Sequence, residues 1–275
     1  MTNLVKAELQ KIRTTSTWWI FGIILLPLWA AALLFNWAQS NLLVSNDETP
    51  GLDPNQAEQL RVAGKAVNIA SDLYTSGQFF GVLIVMLLGA IVVTNEFFHL
   101  TATTTFLVSP RRETVVYAKL AAAAILGVVF WLVTSLLNLI FAPLILTKLG
   151  LGVQLGEGAV WRAIALNGLA FILWAVLGVG FGVLIRSQLA ATITLALAYV
   201  VGTFGASIIF NLLSNVAAWT SKLQVLVPTT ASALMISGTD LPGNPPRWVG
   251  AAVLVGYAAV TAVLGTMIMK RRDIA

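Results

Sequence analysis

The sequence predicts an all-α membrane protein with six transmembrane helices in a single domain, residues 1–275. Of its residues, 58% are hydrophobic and only 10% are charged, whereas soluble globular proteins carry about 25% charged residues. Long apolar runs recur at about the 20-residue length that a helix needs to cross the hydrocarbon core of a bilayer. We place the six spans at residues 17–38, 77–95, 120–146, 162–185, 188–210 and 248–269.

The chain opens with a short amphipathic segment. In MTNLVKAELQKI, apolar residues at positions 4, 5, 9 and 12 recur at helical spacing among basic residues, which is typical of a helix on a membrane surface. The uncharged run of the first span is longer than the apolar region of a signal peptide, and no clear small-x-small cleavage site follows it. We therefore expect a retained first span.

Two connections between spans carry structure of their own. After Pro54, AEQLRVAGKAVNIASDLY places Leu60, Ala63, Val67 and Tyr74 on one face, which predicts a short helix outside the cell. From Asn211 to Ser237, polar residues and a proline interrupt the apolar pattern. We expect this segment to be partly helical and to dip into the outer leaflet, where such backbone must be covered by protein or face water.

Basic residues predict the orientation. Ten of the 16 Lys and Arg residues fall on the side of both termini, the 96–119 connection and the turn at Arg186. This excess predicts a multi-pass protein of the inner (plasma) membrane with both termini in the cytoplasm. We attribute the net charge of +5 to orientation and to contact with membrane lipid, not to nucleic acid. The ten are Lys6, Lys11, Arg13, Arg111, Arg112, Lys119, Arg186, Lys270, Arg271 and Arg272.

The motifs of common enzyme classes are missing. The chain has no cysteine and a single histidine, His99, so thiolate and His-cluster metal sites are excluded. It has no GxxxxGK[ST] phosphate loop, and we expect neither ATP hydrolysis nor a catalytic, cofactor or metal site in this chain. The centres of the spans contain no Asp, Glu or His, which argues against a proton-driven carrier. Glu96 and His99 are interpreted as a solvated helix end.

The remaining polar and small residues in the spans fit helix packing. Gly178, Gly180 and Gly182 form a small-residue stripe that indicates close approach of helices. Most tryptophans fall near span ends, as in an aromatic belt. For the mild polar residues we expect hydrogen bonds between helices. These are Asn36, Thr134, Ser135, Asn138, Asn167, Thr192, Thr194, Thr203 and Ser207.

The connection TNEFFHLTATTTFLVSPRRETVVYAK, between Thr94 and Lys119, is the most strongly basic internal one. This connection is one of five motifs whose order along the chain resembles that of the ABC-2 type permeases. The other four are KAELQKIR before the first span, LIRSQLAATI between spans four and five, LVPTTASAL before the last span and KRRDIA at the end. These are the membrane subunits of one class of ATP-binding-cassette exporters. The five motifs cover nearly the whole chain, although its segment between spans one and two is longer than in the simplest members.

The resemblance implies an amphipathic elbow helix at the N-terminus, a cytoplasmic coupling helix at about residues 96–107 and a re-entrant outer segment before the last span. It implies a second permease subunit, identical or homologous, and two separate ABC ATPase subunits that hold ATP and Mg. ATP-driven closure of the ATPase pair would press on the coupling region and tilt spans one, two and five, with the export route between the permease subunits. The residues assigned to ATPase coupling are Glu96, Phe97, Phe98, His99, Leu100, Thr101, Thr105, Phe106, Leu107, Pro110, Arg111 and Arg112.

The aromatic and aliphatic residues of this region would make apolar contacts with the ATPase, and its threonines are compatible with a polar interface. Pro110 would end the coupling helix. Mutating Phe97 or Phe106 to Asp should then abolish ATPase docking and leave membrane insertion intact. A charge-poor interface favours a hydrophobic or amphiphilic cargo, such as a drug, a lipid-like molecule or a peptide. Two alternatives stay open: a secondary carrier or channel that needs no ATPase, and a non-transporting membrane scaffold or immunity protein.

Overall fold

A computed structural model describes residues 2–45, 54–99, 101, 112–185, 187–214, 216–240 and 242–271. Across these ranges the protein is helical and contains no strand. Six helical segments are long and apolar enough to cross a membrane, which confirms the predicted fold class. The helices are α1 (Thr2–Thr14), α2 (Thr17–Ser45), α3 (Pro54–Ala63), α4 (Ala66–Tyr74), α5 (Gln78–Phe98), α6 (Arg112–Lys148), α7 (Gly158–Leu184), α8 (Gln188–Ser214), a 3-10 helix (Ala218–Leu226), α9 (Pro228–Ile236) and α10 (Arg247–Arg271).

The six spans occur in the predicted order, and each of them is longer than predicted. The largest difference is at the second span, which includes α4 and runs over Ala66–Phe98. The helix predicted outside the cell is divided at Gly64 and Lys65 into α3 and α4, and most of α4 is buried. Composition identifies only the apolar part of each span. The helix itself continues beyond that part, until its backbone hydrogen bonding stops or a cap ends it.

The centre of the bundle is the pair α5 and α7, which run parallel and pack through glycines. A Cβ at Gly178 would overlap the carbonyl oxygen of Met86, and one at Gly182 would lie 2.7 Å from the carbonyl oxygen of Ala90. On the neighbouring face, a Cβ at Gly180 would lie 2.6 Å from Cβ of Thr261 on α10. The predicted role of this stripe in close packing is confirmed.

Gly178→Ala is expected to destabilise the protein by about 1–3 kcal/mol, because the added methyl group must push α5 and α7 apart. Gly205→Ala is the matched control, since a Cβ at that position of α8 meets no atom within 4 Å. Thermal unfolding of the purified variants in detergent measures both. Equal melting temperatures for the two variants would show that the tight approach of α5 and α7 is not needed.

A buried polar network holds the break between α4 and α5. The indole Nε1 of Trp29 donates to Oδ1 of Asn138 at 2.7 Å, and Nδ2 of Asn138 donates to the carbonyls of Tyr74 at 3.0 Å and Ser76 at 2.9 Å. Gly77, with φ of 83°, makes the turn, in the left-handed region that glycine adopts most readily. Trp29 is thus buried in the middle of α2 and is an exception to the aromatic belt.

The hydrogen-bond expectation for the other polar residues is confirmed in part. Nδ2 of Asn36 donates to Oγ of Ser76 at 2.8 Å, between α2 and the turn before α5. The hydroxyl groups of Thr134 and Thr192 instead donate to carbonyls of their own helices. The amide of Asn167 is buried without a hydrogen-bond partner among the described residues.

The segment after α8 folds as the 3-10 helix followed by α9, and it packs against α7, α8 and α10. Oγ1 of Thr229, at the start of α9, lies 2.9 Å from Oγ1 of Thr203, which is near the middle of α8. At the other end of α9, the carbonyl of Gly238 accepts hydrogen bonds from Arg162 at 2.7 Å and Arg247 at 2.8 Å. The partly helical character is confirmed; its placement in the outer leaflet stays a prediction.

Candidate coupling site

The predicted coupling region leaves the bundle at the end of α5 and returns at the start of α6. The structure describes five of its assigned residues with their side chains: Glu96, Phe97, Phe98, His99 and Thr101. Arg112 is the first residue of α6. The assigned residues Leu100, Thr105, Phe106, Leu107, Pro110 and Arg111 lie outside the described residues.

At the base of this region, four charged residues from three helices form a closed charge ring: Glu8, Lys11, Glu96 and Lys119. Nζ of Lys119, about two turns into α6, lies 2.9 Å from Oε2 of Glu8 and 3.0 Å from Oε1 of Glu96. Nζ of Lys11 lies 2.8 Å from Oε1 of Glu8 and 2.6 Å from Oε1 of Glu96. The charge ring therefore joins α1, the end of α5 and the start of α6.

The two carboxylates and Lys119 of the charge ring are buried. Glu8 is 5% exposed, Glu96 6% and Lys119 1%. The third donor of the Lys119 ammonium reaches the carbonyl of Val92 at 3.3 Å, so all three of its N–H groups have an acceptor. The two positive and two negative charges balance. Removal of one partner would leave a buried charge uncompensated, which is strongly destabilising.

Lys11 is the half-exposed member of the charge ring. Burial acts to lower the pKa of Lys11, but hydrogen bonds and attraction to Glu8 and Glu96 outweigh it and raise the pKa above its usual value of 10.5. Since the folded pKa is raised, the stability that Lys11 contributes is present below its unfolded pKa and is lost as the pH rises through its folded pKa. Lys11 is therefore charged at neutral pH.

Sequence reasoning missed the charge ring. The interpretation of Glu96 as a solvated helix end was wrong, because its carboxylate is covered by α1 and paired with two lysines. Glu8 went unnoticed although it shares the inward face of α1 with Leu4 and Ile12, at the i, i+4 spacing of one helical face. An acid at the centre of an amphipathic face was the available signal.

The described residues that follow Glu96 differ in how far their side chains are exposed. Phe97 is partly buried against the hydrophobic core, whereas Phe98 is 69% exposed at the end of α5. His99 is exposed and its ring lies edge-to-face with that of Phe98, with centroids 5.0 Å apart. The N–H of Thr101 donates to the carbonyl of Glu96 at 2.9 Å, so the chain leaves α5 directly above the charge ring.

Phe97→Asp would consequently damage the core as well as any docking surface, so Phe98 is the better residue for testing partner contact.

Among the residues that the structure describes, no group of three or more His, Asp or Glu side chains is placed to hold a metal ion. The charge ring contains two positive and two negative charges that pair with one another. Its geometry suits a mechanical link between helices.

Comparison with known proteins identifies the family of the chain. A family model described as ABC-2 family transporter protein matches residues 4–203. The chain belongs to this family. The match begins in α1 and ends near the middle of α8, so it includes the whole charge ring and the predicted coupling region. No curated protein matches the chain.

As a member of the ABC-2 family, the chain is a multi-pass membrane permease. Membrane subunits of this family are typically non-catalytic, and they generally work with ABC ATPase partners. The predicted LVPTTASAL and KRRDIA motifs lie beyond the matched residues. The family match therefore does not include the last span, and only the fold supports a role for that span.

Proposed function

We propose that this ABC-2 protein is the permease subunit of an ABC exporter, driven by two ATPase subunits that dock on the 96–112 region. ATP and Mg bind to those partners. The observation that carries the proposal is the charge ring, which ties both ends of the docking region to α1. A region anchored in this way can transmit a push from the ATPase to the spans.

The anchoring is rigid on three sides. Lys119 on α6 pairs with Glu96 on α5, Glu8 ties α1 to α6 through Lys119, and Lys11 ties α1 to α5 through Glu96. Charge-assisted hydrogen bonds of this kind are stronger and more directional than neutral ones. A displacement of the 99–111 segment would consequently move α1, α5 and α6 together instead of bending the segment alone.

The export route is proposed to lie between this chain and a second, identical or homologous permease subunit. Two spans, α2 and α8, have long apolar faces that are left exposed by the part of the chain that the structure describes. Phe35 on α2 is 69% exposed and Leu189 on α8 is 70% exposed. Such faces can contact lipid or a second subunit. An export route lined by these faces, between two subunits, would favour a hydrophobic or amphiphilic cargo.

The experiment is reconstitution of the purified chain in liposomes, with and without its ABC ATPase, followed by measurement of the flux of a fluorescent amphiphile. The proposal expects flux only with the ATPase, ATP and Mg together. Flux of the chain alone would favour a secondary carrier or channel. Stable binding of the ATPase without any flux across a panel of amphiphilic drugs, lipids and peptides would favour a scaffold or immunity protein.

Both termini and the charge ring are proposed to face the cytoplasm of a cell whose inner (plasma) membrane holds the protein. The chain has no native cysteine, so single-cysteine variants report position directly. In right-side-out vesicles, a membrane-impermeant maleimide should label Trp161→Cys and leave Arg13→Cys unlabelled until the membrane is opened. The reverse pattern would invert the orientation.

A further inference from the structure

We propose that a cavity inside one subunit binds the hydrocarbon chain of an amphiphile. The cavity has a volume of about 500 Å³ and lies between α5, α7, α8 and α10, beside the end of the 3-10 helix and the start of α9. This volume falls within the range of small-molecule sites, about 300–1,000 Å³. It does not depend on a second subunit, and it is separate from the charge ring and the docking region.

One wall of the cavity is long enough to accommodate an extended hydrocarbon chain. Its wall on α7 runs from Trp174 to Ile185, which is about 16 Å at the rise of an α-helix. The hydrocarbon depth of one leaflet is about 15 Å, half of the bilayer core. Ile185 follows the end of α7 on the same side of the bundle as the charge ring, because α5 and α7 run parallel.

The wall offers hydrocarbon and few free polar groups. The hydroxyl of Tyr199 donates to the carbonyl of Phe79 at 2.7 Å, and that of Tyr257 donates to the carbonyl of Leu226 at 3.1 Å. The hydroxyl of Thr203, which also lines the cavity, is bonded within the protein. A ligand with polar groups along its length would lose hydrogen bonds to water without replacement, whereas a hydrocarbon chain loses none.

The cavity is accessible from the side of the protein. Gly202 on α8 is exposed and Tyr257 on α10 is 41% exposed, and both line the cavity. Trp174 and Leu177 form its inner wall and are only 4% and 3% exposed. A chain could therefore enter from the bilayer between α8 and α10 and reach side chains that lipid around the protein does not touch.

Two glycines of α8 provide a matched pair of variants. A Cβ at Gly202 or at Gly205 meets no atom within 4 Å, so a larger side chain fits at either position. Gly202 lines the cavity and Gly205 does not. Gly202→Phe should fill the cavity, while Gly205→Phe adds the same ring to the same helix outside it.

The experiment uses the full chain in liposomes that contain a phosphatidylcholine with a photoactivatable palmitoyl chain, and it maps the adducts by mass spectrometry. Adducts are expected on Trp174 and Leu177. Gly202→Phe should lower them about 10-fold, the change expected when about two methylene groups lose their burial, and Gly205→Phe should leave them unchanged. Adducts on Leu197, which is 56% exposed, should persist in all three proteins.

A second arm uses photoactivatable palmitic acid in place of the phospholipid. Labelling of Trp174 and Leu177 by phospholipid identifies a resident membrane lipid, and labelling by the fatty acid alone identifies a single-chain amphiphile such as a cargo. Either result supports the site. If neither probe labels the two residues, or if the Phe variants at 202 and 205 give equal labelling, the proposal is overturned. Neither arm requires an ATPase, so a failure of the proposed function would leave this test intact.

Discussion

Lys119→Met is expected to destabilise the protein by about 3–5 kcal/mol, the cost of leaving buried charges without their partner. The substitution keeps an unbranched side chain that is one atom shorter, and it removes the ammonium group with its charge and its three N–H donors. Glu8 and Glu96 would then share the single ammonium of Lys11. The melting temperature of the purified protein should fall, and ATP-driven flux should fall with it.

The control is Lys148→Met, the same substitution at the exposed, opposite end of α6, which should change stability by less than about 0.5 kcal/mol. Adding Glu96→Gln to Lys119→Met restores charge balance between Glu8 and Lys11, so the double variant should regain part of the loss. If Lys119→Met and Lys148→Met are equally stable, the charge ring does not hold the three helices together.

Phe98→Asp is expected to weaken ATPase docking about 30-fold while the permease stays folded. Phe98 is 69% exposed at the end of α5, so its replacement costs little in the core. An aromatic residue at the centre of an interface typically contributes about 2 kcal/mol or more, which corresponds to docking weakened by about 30-fold. Binding of the purified ATPase to permease in nanodiscs measures this affinity.

Trp248→Asp is the matched control, because Trp248 is 70% exposed and lies at the start of α10, the end of the bundle away from the charge ring. It places the same acid at an equally exposed aromatic position. Its ATPase affinity should equal that of the wild type. Equal affinities for Phe98→Asp and the wild type would remove Phe98 from the docking surface.

The fold could be predicted from the sequence to a large extent. Apolar runs predicted the number and order of spans, and the glycine stripe predicted close packing of α7, although its partners α5 and α10 are known only from the structure. The break before Gly77 falls where the external helix and the second span were predicted to meet, but the hydrogen bonds that hold it could not be predicted, because they come from Asn138 and Trp29 on two other helices. Hydropathy is averaged along the chain, so it carries no information on such contacts between helices.

The candidate site was predicted less completely. The position of the connection between α5 and α6 followed from charge and from the family resemblance. The charge ring did not, since Glu8, Glu96 and Lys119 lie far apart in sequence and each one alone resembles a solvated charged residue at the membrane surface. Only the packing of α1 across α5 and α6 turns them into buried partners.

The most direct test of the proposed coupling is a cross-link from position 98 in native membranes. Because the chain lacks cysteine, Phe98→Cys carries the only thiol and can be modified with a benzophenone maleimide. Illumination should yield a covalent product of the chain with an ABC ATPase, identified by mass spectrometry, and Trp248→Cys should yield none. No ATPase product from position 98, or equal yields from both positions, would contradict the account.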